Sequence, residues 1–84
     1  MTNIEKIYEK NPADVAAYIT YSDELIANCD KFLNAEESPI AVKAAEECIK
    51  AAQSVKYADC PYNAYRQALA AETWFNTAER NYWG

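Results

Sequence analysis

The side chains of this sequence that could do chemistry are carboxylates and thiols, because histidine is absent. The 84 residues include 13 aspartates and glutamates, 8 lysines and arginines, and three cysteines. Without histidine the chain lacks the commonest general base, the commonest metal ligand and the usual activator of a serine or cysteine nucleophile. Its single glycine, Gly84, stands at the end of the sequence and cannot build a phosphate-binding loop. We therefore predict a protein that is not an enzyme and that binds no metal and no cofactor.

Carboxylates crowd the part of the chain between residues 23 and 47. The net charge of −5 favours a basic protein partner and argues against direct binding to nucleic acid or to anionic lipid. We predict that some of these carboxylates form an acidic rim around a partner-binding surface. The rim consists of Asp23, Glu24, Glu36, Glu37, Glu46 and Glu47. The alternative is that these residues form only solvated helix faces.

Aromatic residues are the feature that exceeds the expected background, with seven tyrosines and two tryptophans. Tyrosine and tryptophan are enriched at protein interfaces because each combines a large rigid surface with one polar group. We predict an aromatic flank on the last helix that contacts a partner. The flank consists of Tyr62, Leu69, Trp74 and Trp83. The alternative is that large rings fill the core of a bundle whose helices are rich in alanine.

Two other groups need an explanation, namely the thiols and one glutamate near a core stripe. Cys29, Cys48 and Cys60 are odd in number and lack the close spacing of a zinc site, so we expect reduced, buried thiols. Cys60 also precedes a predicted helix start, where the alternative is a reactive thiol near the free N–H groups of the first turn. Glu72 lies within about 60° of the apolar stripe of its helix, at 100° per residue. We expect it to pair with Lys56 or Arg66, and the alternative is that it borders a shallow cleft.

Three prolines indicate where the helices that position these residues begin. Proline is favoured at the first helical position, and Pro12, Pro39 and Pro61 each follow a residue that can cap a helix. For the first of these helices the predicted cap is Asn11, with Asp14 in the place of a capping-box acid. The predicted helices span residues 12–34, 39–58 and 61–82, and a short N-terminal helix spans 3–10. Short turns between them predict an all-α, single-domain protein (1–84), a three-helix antiparallel bundle.

The combination of small size, acidity and aromatic residues favours a binding protein. The sequence shows no leader peptide and no apolar run of membrane-spanning length, so we expect a cytoplasmic location and no membrane contact. We predict a small acidic inhibitor that blocks a partner's surface, for example a nucleic-acid-binding surface, as anti-defence and immunity proteins of phages and mobile elements do. Two alternatives stay open. One is a structural bundle that forms homo-oligomers, and the other is an oligomeric receptor for a small anionic ligand.

Overall fold

The computed structural model describes residues 1–83, and this part of the chain is all-α, without a β-strand. The all-α part of the prediction is therefore confirmed. The helices are α1 (Asn3–Lys10), α2 (Val15–Asn28), α3 (Asp30–Leu33), α4 (Pro39–Ser54) and α5 (Pro61–Trp83), with a 3₁₀ helix (Val55–Tyr57) after α4. No helix within residues 1–83 combines the length and the apolar composition that crossing a bilayer requires.

Two of the three prolines stand at helix starts. Pro39 opens α4, where the Ser38 side chain accepts a hydrogen bond from the backbone N–H of Ala41 at 3.4 Å. Pro61 opens α5. Both helices begin where the missing proline N–H would have had no partner.

The start predicted for the first long helix is wrong, because Asn11 ends α1 and does not begin α2. The backbone N–H of Asn11 donates to the Ile7 carbonyl at 2.9 Å, and its side chain accepts from Ala13 N–H at 3.2 Å. The cap of α2 is Asp14, whose carboxylate accepts from the backbone N–H of Ala17 at 3.1 Å. Pro12 therefore lies in the turn between α1 and α2.

The segment predicted as one helix over 12–34 is divided at Cys29. The backbone N–H of Cys29 donates to two carbonyls, those of Leu25 at 3.0 Å and Ile26 at 3.2 Å. A shared bond of this kind tightens the last turn of a helix, so α2 ends and the four-residue α3 follows. The second predicted helix, 39–58, similarly ends early, since α4 passes into the 3₁₀ turn at Val55.

Alanine allows α4 and α5 to form the most extensive helix pair of the molecule. Small side chains let two helix backbones approach closely. The alanines that are buried on these two helices are Ala41, Ala44, Ala45, Ala52, Ala64, Ala68, Ala71 and Ala78. The larger core residues come from the other segments: Phe32 fills one end of the elongated molecule, and Ile4 and Tyr18 fill the other.

Candidate functional site

A buried carboxylate joins α1, α2 and α5. Glu72 of α5 is only 4% exposed, and its oxygens accept hydrogen bonds from the backbone N–H groups of Asn3 at 3.1 Å and Ile4 at 2.9 Å. The hydroxyl of Tyr21 also donates to Glu72, at 3.0 Å, and accepts from the Asn3 amide at 2.8 Å. Glu72 is thus a cap for the first turn of α1, supplied by a residue far away in the sequence.

The predicted ion pair of Glu72 is wrong. Lys56 pairs instead with Asp23, with 3.4 Å between ammonium and carboxylate, and among residues 1–83 Glu72 forms no ion pair. Backbone N–H groups at a helix N-terminus carry partial positive charge, and they replace a side-chain cation here. Burial is the main reason that the pKa of Tyr21 lies above its ordinary value, and the bond to Glu72 acts in the same direction. All three hydrogen-bond donors to Glu72 come from α1 and α2, so this cluster holds α1 in place.

The thiols divide into a buried pair and one exposed group. Cys29 and Cys48 both lie in the core, where the neighbouring Cys48 thiol lowers the pKa of Cys29, and the neighbouring Cys29 thiol together with burial raises the pKa of Cys48. Cys60 is exposed, which corrects the expectation that all three thiols are buried. Among residues 1–83, no three side chains of types that ligate metals lie together.

The four residues of the predicted aromatic flank do not share one surface. Tyr62 is exposed beside Tyr8 and Pro12, near the link between α1 and α2. Leu69 is partly buried and packs on the core cluster that contains Ile4. Trp74 comes 12 residues after Tyr62, roughly 18 Å along the helix at 1.5 Å per residue, and points to another side of α5.

Trp74 lines an apolar groove between α4 and α5, which we call the side groove. Its walls are Pro39, Ile40, Lys43, Ala44, Trp74 and Thr77. Ile40 is 62% exposed and Trp74 is 40% exposed, so both apolar side chains face solvent. No residue of the predicted acidic rim lines this groove.

Trp83 lines a second groove at one end of the molecule, which we call the end groove. Its walls are Asn34, Ala35, Glu36, Glu37, Ser38, Tyr82 and Trp83, around a volume of about 480 Å³. Trp83 is 71% exposed, and among residues 1–83 neither Glu36 nor Glu37 forms an ion pair. Here an aromatic residue and acidic residues from the two predicted sets lie together.

The other four acidic residues are distributed over separate positions. Asp23 pairs with Lys56, and Glu47 pairs with Lys50 at 3.7 Å. Glu24 and Glu46 are exposed and line neither groove. The six predicted carboxylates therefore do not form one continuous rim.

Comparisons of the chain with protein-family models, with curated proteins and with solved structures find no match.

Proposed function

We propose that this chain is a non-catalytic protein-binding module that uses the end groove to hold a basic segment of a partner protein. The observation that supports the proposal is the position of Trp83 in the same groove as Glu36 and Glu37. Trp83 offers a large exposed ring, and the two carboxylates have no cation of their own among residues 1–83.

The chemistry of the end groove suits a cationic partner. Tryptophan is among the residues that contribute most to binding when a partner covers it, because its burial removes a large apolar area from water. Carboxylates beside such a ring speed the approach of a basic partner and disfavour acidic ones. The net charge of −5 also attracts a basic partner over longer distances, and salt weakens this attraction.

The finer proposals concern what binding achieves and how the helices are arranged. We propose that the module inhibits its partner by covering a basic, nucleic-acid-binding surface, where carboxylates can stand in the place of phosphates. Support for this role comes from the size and acidity of the chain, as in anti-defence and immunity proteins of phages and mobile elements.

We also propose that α2, α4 and α5 form an antiparallel three-helix bundle, because the connections at 34–38 and 58–60 are short.

The experiment that tests the binding proposal is affinity capture from a lysate with matched variants. The immobilised protein should recover one basic protein in stoichiometric amount, identified by mass spectrometry. The double variant Glu36→Gln/Glu37→Gln should lose this partner, whereas Glu24→Gln/Glu46→Gln, which removes the same charge elsewhere, should retain it. Equal recovery by both double variants would show that the end groove is not the binding site.

The side groove supports a second candidate function, self-association. Ile40 and Trp74 present adjoining apolar surface to solvent, and surfaces of this kind often mark contacts between subunits. Light scattering of the purified protein should then show a mass that rises with concentration. Ile40→Glu should abolish that rise while the helical circular dichroism signal stays unchanged, and a constant monomer mass would remove this candidate.

A further inference from the structure

We infer that the end groove selects a partner segment that carries arginine. In the free protein Lys31 occupies the position over the Trp83 ring that this arginine takes on binding. The inference rests on the proposed function, because it names the partner chemistry of the same groove. Lys31 does not line the end groove but contacts Trp83, which does. Lys31 lies on α3 beside the groove, and its ammonium lies over two aromatic rings.

The distances identify the ring face of Trp83 as a position for a cation. The Lys31 ammonium nitrogen lies 4.9 Å from the centroid of Phe32 and 5.9 Å from that of Trp83. Both distances fall within the roughly 6 Å over which a ring face attracts a cation. Phe32 is fully buried, so the face of Trp83 is the part of this site that a partner can reach.

Lys31 is held weakly enough to be replaced. It is exposed, and among residues 1–83 it pairs with no carboxylate, although Glu36 and Glu37 follow a few residues later. An exposed cation over a ring contributes little stability, and a lysine stem has several rotatable bonds. A cation that contacted the ring and also Glu36 or Glu37 would gain more than Lys31 loses.

Arginine fits this combination better than lysine does. Its planar guanidinium can stack on a ring and still donate two parallel hydrogen bonds to a carboxylate, whereas an ammonium acts as a point charge. The Trp83 ring is also oriented in advance, because Tyr82 meets it edge to face with 5.0 Å between centroids and an interplanar angle of 89°. Tyr82 in turn packs edge to face on buried Phe32 at 5.2 Å.

The inference is tested by measuring how three peptides of equal length bind the purified protein at low ionic strength. Each peptide alternates glycine with arginine, lysine or glutamate, and isothermal titration calorimetry gives the affinity. Two variants are compared with the wild type: Lys31→Gln frees the ring, and Lys43→Gln removes the same charge from the side groove. The lysine at 43 is a matched control because it lines the groove that lacks rim carboxylates.

We expect the arginine peptide to bind at least about threefold more tightly than the lysine peptide, and the glutamate peptide not to bind. Lys31→Gln should tighten arginine binding roughly two- to fivefold, the range of an exposed cation–π contact, and Lys43→Gln by less than about twofold. Equal tightening by the two variants, or equal affinity for arginine and lysine, would overturn the inference and leave a basic partner possible. Failure of both cationic peptides to bind would overturn the inference and the proposed site together.

Discussion

Replacing Glu72 by glutamine tests whether one buried carboxylate holds α1 against the rest of the molecule. The change keeps the size and shape of the side chain but removes its charge and one of its two acceptor oxygens. If the remaining oxygen accepts from Asn3 and Tyr21, the new NH₂ group points at the backbone N–H of Ile4. Two donors then face each other in a buried place.

The expected cost follows from these three bonds. A hydrogen bond to a charged group contributes about 1.5–3 kcal/mol, and a buried donor left without a partner costs about 1–3 kcal/mol. With one bond lost and two weakened, we expect Glu72→Gln to reduce the free energy of unfolding by about 2–4 kcal/mol. A domain of this length has roughly 4–13 kcal/mol in total, so Tm should fall by at least about 8 °C.

Two measurements separate local release of α1 from loss of the whole fold. Urea unfolding followed by circular dichroism gives the global free energy, and hydrogen exchange of the amides over residues 3–10 reports on α1. Glu46→Gln is the control, because it removes the same charge from an exposed position. If Glu72→Gln matched this control within about 0.5 kcal/mol, with unchanged exchange in α1, the assignment of Glu72 as a structural cap would be refuted.

Four further predictions concern single groups. Burial raises the pKa of Tyr21 above 10.0, so the native state holds this proton more tightly than the unfolded state does. The free energy of unfolding that this contributes below pH 10 should therefore decline above pH 10. Tyr21→Phe should make that decline smaller when urea unfolding is measured over this pH range. In the same urea assay, Trp74→Ala should lower the free energy of unfolding by about 1–2.5 kcal/mol, because Trp74 is partly exposed. Phe32→Ala should lower it by about 3–5 kcal/mol, because Phe32 is fully buried. A thiol reagent should modify only Cys60 in the native protein and three thiols in urea. Ser22→Ala should leave Tm unchanged or higher, because among residues 1–83 the buried Ser22 hydroxyl has no partner.

Much of the helical architecture is readable from local sequence signals, and its errors have local causes. Pro39 and Pro61 open helices because a proline at the first position needs no distant partner. Pro12 carries the same signal but lies in a turn, since Asn11 is already used to end α1. The division at Cys29 leaves no mark in the apolar periodicity, because a shared hydrogen bond changes the backbone and not the residue pattern.

The candidate site shows the opposite balance. The sequence indicates which residue types are available for binding, namely tryptophans and unneutralised carboxylates, but not which of them meet. The end groove unites Trp83 with Glu36 and Glu37 because the C-terminal end of α5 lies beside the turn before α4. Trp74 has the same chemistry, yet helical rotation turns it toward Ile40 and away from the rim carboxylates.

By itself, the sequence determined that the fold is helical, that the protein is acidic and that no histidine chemistry is available. These properties depend on composition and on local helix propensity, which need no tertiary contact. Tertiary structure alone decided the role of Glu72, whose bonds to the backbone of Asn3 and Ile4 span 69 and 68 residues. A carboxylate near a core stripe can be satisfied by a cation, by water or by the N-terminus of a helix. Only the packing of α1 against α5 brings the helix N-terminus within hydrogen-bonding distance and makes the choice.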